Sequence, residues 1–180
     1  MIGALLISLV LSQATTPAPW KWADSRAPHE AWLDLQAIAE VEPSAEGAVA
    51  LHALDPRAAL ESGSPRVGLW QLSTNDAARV LAALEAKLPG HFAPVFHDEN
   101  STAAKLRVPA GGVMIWLHPS ADVARFVERH GLVVKQNFGN GTLLVFSAPG
   151  AAALALTTAL RADAAVKTVT PNWWFRAHRR

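Results

Sequence analysis

The stretch 113–175 constrains this chain most, because its β-prone and helix-prone runs follow the order strand, helix, strand, strand, helix, strand. Val113-Met114-Ile115-Trp116-Leu117 is a short apolar run, and Pro119 stops it because proline cannot donate to a sheet ladder. Val123, Phe126 and Val127 recur at helical spacing over 121–130, with Ser120 as the expected N-cap and Gly131 as the left-handed residue that ends the helix. Two β-rich runs, 132–138 and 142–147, flank Gly139-Asn140-Gly141, whose residues tolerate the positive φ of a tight hairpin. A second helix is expected over 151–162, where Leu154, Leu156 and Leu160 lie among alanines, and a last strand over 166–175. The fold class that follows is α+β, with the C-terminal half a ferredoxin-like β-α-β-β-α-β sandwich whose two helices cover one face of four strands. The other face stays open. Soluble monomers seldom leave large apolar patches in water, so an open face carrying apolar side chains is an interaction surface or a sign that the strands are arranged otherwise.

The chain before this module reads as a smaller, related α/β half. Runs 49–54 and 66–72 are β-prone, and 75–88 places Val80, Leu81, Leu84 and Leu88 on one helical face behind Ser73 or Thr74 as a cap. Phe92-Ala93-Pro94-Val95-Phe96 follows as a strand. The passage from Leu81 and Leu84 to Pro94 echoes that from Leu156 and Leu160 to Pro171, each a helix leading into a strand that carries a proline. The echo has two readings: a degenerate repeat that packs beside the second half or extends its sheet, and a chance likeness of two alanine-rich helices. The polar segment 98–109 is the natural boundary. The expected organisation is a signal peptide over 1–14, a linker over 15–48 that is proline-rich and extended over 15–28 and carries a short helix at 29–41 (Trp32, Leu35 and Ile38 on one side), an α/β half over 49–108, and the module over 109–180.

Residues 1–11 are an almost unbroken apolar run, and Ser12-Gln13-Ala14 fits the small-x-small rule for signal peptidase. The run is shorter than the roughly 20 apolar residues that span a bilayer. Export to the periplasm or the medium follows, with no membrane partner after cleavage. No Lys or Arg precedes the run, which leaves an uncleaved anchor as the alternative. A net charge of +1 gives no sign of a nucleic-acid partner. There is no cysteine, so disulfides, thiol nucleophiles and thiolate metal sites are excluded.

The seven histidines show no ligand pair on one helix face, and His97-Asp98-Glu99, the densest cluster, reads as a solvated turn. No metal, cofactor or catalytic residue is therefore expected. Gly111-Gly112 and Gly139-Asn140-Gly141 lack the strand-to-helix setting of a phosphate loop and read as turns. Trp173-Trp174 is the most unusual local feature, since neighbours on a strand face opposite sides of the sheet. One ring belongs to a core; the outer one is a hot spot for a partner or is covered by the earlier half of the chain.

Four short stretches, taken in order, resemble the N-terminal prodomain of secreted subtilisin-like serine proteases, the fervidolysin-type branch in particular. They are Gly112-Val113-Met114-Ile115, Arg129-His130-Gly131-Leu132, the Gly139-Asn140-Gly141 hairpin, and Leu160-Arg161-Ala162-Asp163 leading to Thr170-Pro171-Asn172. Ala93-Pro94-Val95-Phe96-His97-Asp98 is similar to what precedes the module in many such precursors. The resemblance implies a prodomain that lays its open sheet face on two helices of a protease and sends a tail into the substrate cleft, acting as inhibitor and folding chaperone. It implies a partner-binding set of Asn172, Trp173, Trp174, Phe175, Arg176, Arg179 and Arg180, with the outward side chains of 132–138, 142–147 and 166–175 making the sheet interface. Such precursors continue into a catalytic domain, whereas these 180 residues hold no Gly-x-Ser-x-Gly or Gly-Thr-Ser motif, and His130-Gly131 lies at an expected helix end. The expectation is an exported, non-enzymatic protein acting in trans on a subtilisin-like serine protease. An exported interaction or structural module that keeps the fold without binding proteases is the alternative.

Overall fold

A computed structural model describes residues 19–23, 28–98 and 105–176. Segment 1–14, where the sequence predicts a signal peptide, and the C-terminal Arg179 and Arg180 lie outside the described residues. Within them the chain is mixed α+β, with four helices and one nine-stranded sheet whose ladders are antiparallel. The elements run β1 (Trp20–Ala23), β2 (Pro28–Val41), α1 (Ala45–His52), β3 (Ala59–Gly63), β4 (Val67–Gln71), α2 (Ala77–Glu85) and β5 (Phe92–His97). They continue with β6 (Leu106–Leu117), α3 (Val123–Arg129), β7 (Val134–Gly139), β8 (Thr142–Val145), α4 (Ala151–Arg161) and β9 (Val166–Phe175).

The strand order is β3-β4-β2-β5-β6-β8-β7, with β1 on β2 and β9 on β6. The two halves therefore repeat one plan. In each, the first long strand is flanked by the third and fourth, and the second strand lies at the outer edge: β3-β4-β2-β5 and β7-β8-β6-β9. The proline echo falls on equivalent ladder positions, Pro94 opposite Ile38 and Pro171 opposite Val113. Phe96 opposite Arg107 and His97 opposite Leu106 join the halves into one sheet.

Two apolar cores sit between helices and strands. Ile38, Trp70 and Phe92 pack under Leu51 of α1 and Val80 and Leu84 of α2. Val113, Ile115, Leu117, Leu143, Val145 and Val169 pack under Phe126 of α3 and Ala153 and Leu160 of α4. Three of the four helices begin where a short polar side chain can hold their free N–H groups: Ser44 accepts from Gly47, Asp76 from Arg79 and Asp122 from Arg125, while α4 starts at Gly150 without a side-chain cap. Asp76 and Asp122 replace the expected caps at Ser73 or Thr74 and at Ser120.

Three local expectations differ from the structure. The segment 29–41 is strand β2, not a helix: a register irregularity between Leu33 and Ile38 breaks the two-residue alternation once. That break drops apolar side chains at spacings that mimic a helical stripe. Residues 49–52 of the run 49–54 belong to helix α1, whose start signal is Ser44 with Glu46 in the first turn, and 53–54 form the turn that ends it. Gly111 and Gly112 do not turn the chain but kink β6, at φ 94° and 82°, where its register with β9 shifts between Pro109 and Val113. Strand β6 consequently starts at Leu106 rather than at residue 113.

Candidate functional site

Alternation along the C-terminal strands sends Val113, Ile115, Leu143 and Val145 to the helices and their neighbours the other way. Cross-strand partners share a face, so Met114 stands between Leu144 and Thr170, and Trp116 between Thr142 and Thr168. Gln136 of β7 lies opposite Leu144, and Phe146 follows Val145 onto the same side. No helix lies over this face among the described residues. Phe146 is 53% exposed and Phe138 is 51% exposed, while Met114, Trp116 and Leu144 are half-buried and Thr168 and Thr170 are buried. The Lys135 amine stands 5.0 Å from the centre of the Phe146 ring.

The corresponding face of the N-terminal half is closed by the chain itself. Ala37, Ala39, Val67, Leu69, Ala93 and Val95 form a carpet of small and branched side chains, with Trp174, Leu106 and Ala110 packed against it. Beyond Trp174, Arg176 reaches Glu61 of β3 at 3.3 Å. It thereby edges a hollow of about 160 Å³ whose lining includes Asp34, Gln71 and His97. The partner-binding residues expected from the sequence thus have these places. Trp173 packs edge-on against Trp20 and Phe96, with ring centres 5.7 Å and 5.8 Å away, and its indole N–H donates to Thr170 Oγ1 at 2.9 Å. Asn172 donates to the Gly111 carbonyl at 3.2 Å. Phe175, still paired in β9, is 40% exposed beneath Lys105 and Arg107 at 4.6 Å and 4.7 Å.

The bare face was legible only as outward positions of three strands. Met114 and Trp116 on β6 were missing from that set, and the signal that finds them is the period of two from Val113, with every odd residue apolar and core-bound.

Several polar clusters outside this face have a structural use. Glu40, 1% exposed, accepts from the Ser44 backbone at 2.8 Å and the Trp70 indole at 3.0 Å, and its Oε1 lies 3.1 Å from His91 Nε2. Ser44 Oγ approaches that same nitrogen at 3.2 Å. A relay needs the carboxylate and the hydroxyl on opposite ring nitrogens, so this group holds the start of α1 rather than a nucleophile. His97 Nε2 hydrogen-bonds Asp34 of β2 at 2.7 Å and Asp98 pairs with Arg107 of β6, so both side chains are engaged by neighbouring strands rather than in a solvated turn, while Glu99 lies outside the described residues. Arg129 and His130 both bond Asp163 Oδ2, at 2.6 Å and 2.7 Å, tying the end of α3 to the turn after α4. The Ala165 N–H first, then His130, holds the Asp163 carboxyl below its usual range. The Ser73 hydroxyl does the same for Asp55, which also accepts from the Ser73 and Arg57 backbones. Among the described residues no three His, Asp or Glu side chains converge to hold a metal ion, and no helix is long and apolar enough to cross a membrane.

No protein-family model matches the chain, and neither the curated proteins nor the solved structures contain a match to it.

Proposed function

We propose that this chain is an exported, non-catalytic docking protein whose C-terminal half is a ferredoxin-like β-α-β-β-α-β module, and that its bare sheet face seats a subtilisin-like serine protease. The observation that carries the reading is the face formed by Met114, Trp116, Leu144 and Phe146, opposite α3 and α4, with Phe146 53% exposed. Apolar side chains of that size on one sheet face stabilise a complex by leaving water, at about 25 cal/mol per Å² buried. The sequence resemblance supplies the partner class, and the β7-β8-β6-β9 order with α3 and α4 on one face supports the β-α-β-β-α-β reading. Acting in trans, the module would block its protease and template its folding by surface complementarity, with no covalent step.

One observation favours a second reading, an interaction module that does not inhibit. The tail implied for the cleft starts at Phe175, yet Phe175 is paired with Arg107 in the sheet and Arg176 is ion-paired with Glu61. The test measures both properties. Purified chain is titrated into a subtilisin-type protease with a chromogenic peptide substrate, and separately added to the acid-unfolded protease during refolding. Inhibition that weakens when 175–180 are removed supports the prodomain reading. Binding or faster refolding without inhibition supports the second, and no effect on either property removes the protease from the account.

A further inference from the structure

The charge of the chain is divided between its halves. Residues 1–104 carry twelve acidic and six basic side chains, whereas residues 105–180 carry three acidic and ten basic ones. The three carboxylates of the second half are Asp122, the cap of α3, Glu128 within α3, and Asp163 in the turn after α4. Strands β6, β7, β8 and β9 hold no carboxylate at all. Their cations are Arg107, Lys135 and Lys167, with Arg176 just past the end of β9. Arg107 is neutralised by Asp98 and Arg176 by Glu61, which leaves the exposed Lys135 on β7 and Lys167 on β9. These are the two outer strands of the bare face, about 14 Å apart at the usual strand spacing. A single helix, about 10–12 Å across, fits between them.

From this we infer, resting on the docking reading above, that the bare face takes an amphipathic helix of a partner protein whose apolar stripe is bordered by Asp or Glu. The centre of the face selects the stripe: Met114, Leu144, Thr168 and Thr170 offer no charge, and Phe146 and Phe138 stand out as knobs. The rim selects the border, because an acidic fringe meets Lys135 and Lys167 and finds no carboxylate to repel it. A second copy presenting the same face would oppose lysine to lysine. Single-stranded nucleic acid needs cations along its whole track, and here they lie only at the edges. A partner strand added to β7 is also disfavoured, since that edge carries two register irregularities and Lys135, the devices that keep edges from pairing.

The test uses three fluorescent probes: an 18-residue helical peptide with a Leu/Ala stripe and Glu borders, the same peptide with Lys borders, and an oligo-U RNA. The expected result, read by anisotropy at low salt, is binding of the Glu-bordered peptide at least about tenfold tighter than the other two. Reversing both lysines (Lys135→Glu with Lys167→Glu) is expected to invert the peptide preference at an unchanged melting temperature. Phe146→Asp is expected to abolish peptide binding. Equal binding of both peptides overturns the acidic border while leaving the docking face intact. Preference for RNA, concentration-dependent self-association that excludes the peptide, or no binding of either peptide overturns the inference. Protease binding by the unmodified chain is scored separately, so the docking reading stands or falls on its own result.

Discussion

Replacing Gly47 with alanine sets two effects of opposite sign against each other. Gly47 is the third residue of α1, and alanine is favoured over glycine inside a helix by about 1 kcal/mol. Propensity alone therefore predicts a more stable protein. In the structure, however, a Cβ at this position would stand 2.0 Å from Glu40 Oε1 and 2.8 Å from both Glu40 Cδ and His91 Nε2. The carboxylate would have to move, and it is buried with three bonds, to Ser44, His91 and Trp70. Losing two bonds to a charged acceptor costs about 1.5–3 kcal/mol each, with overpacking strain in addition; partial relaxation recovers some of this. The net expectation is a loss of about 2–4 kcal/mol, which lowers the melting temperature by roughly 5–15 °C for a chain of this size. Thermal and urea unfolding by circular dichroism measure it. A double-mutant cycle locates the cause: with Glu40→Ala in place the clash with the carboxylate is gone and only His91 Nε2 remains, at the end of a side chain no longer held by Glu40, so Gly47→Ala becomes nearly neutral and the coupling is about 2 kcal/mol or more. A melting temperature for Gly47→Ala that rises, or a coupling near zero, would refute the packing argument.

Three further outcomes follow from the same geometry. Trp174→Ala uncovers the Ala39, Val95 and Leu69 carpet and is expected to destabilise the fold by about 2–3 kcal/mol in urea, less than a fully buried tryptophan because the ring is only half-covered. Phe146→Asp, on the bare face, is expected to change stability by no more than about 0.5 kcal/mol while removing partner binding. The pair separates a structural aromatic from a functional one. Asp55 has its pKa lowered from 3.8 chiefly by the Ser73 hydroxyl, so its contribution is present above the unfolded value and disappears as pH falls through the folded one. Asp55→Asn is therefore expected to melt below the unmodified chain at pH 7, with the gap narrowing as pH falls below 3.8; a gap that stays constant or widens as pH falls contradicts this linkage.

The C-terminal half was legible because its signals are local and agree with one another. Gly131 at φ 58° and Asn140 at φ 49° sit where the sequence placed a helix end and a hairpin, and helices α3 and α4 lie within their expected spans. The N-terminal half was less legible because its decisive features act at long range. The irregularity in β2 is stabilised by ladders to β4 and β5, and only those partners distinguish a broken strand from a helical stripe at Trp32, Leu35 and Ile38. Strand β3 was missed altogether: Ala59-Leu60-Glu61-Ser62-Gly63 has little β-propensity and is held by pairing with β4. Trp173 and Trp174 were recognisable as opposite-facing, but which elements they meet depends on the junction of the two halves. That junction rests on Phe96, Arg107 and Phe175, far apart in sequence and adjacent in the sheet. The closing of one sheet face by Trp174, with the equivalent face left bare, is likewise visible only in three dimensions.

Hydroxyl-radical footprinting of the chain with and without a subtilisin-type protease, its active site blocked, tests the docking face most directly. The account predicts that oxidation of Met114, Trp116, Phe138 and Phe146 falls on complex formation while exposed Leu60, on the N-terminal half, is unchanged. Protection of the α3 and α4 side with continued oxidation of Met114 and Phe146 would contradict it.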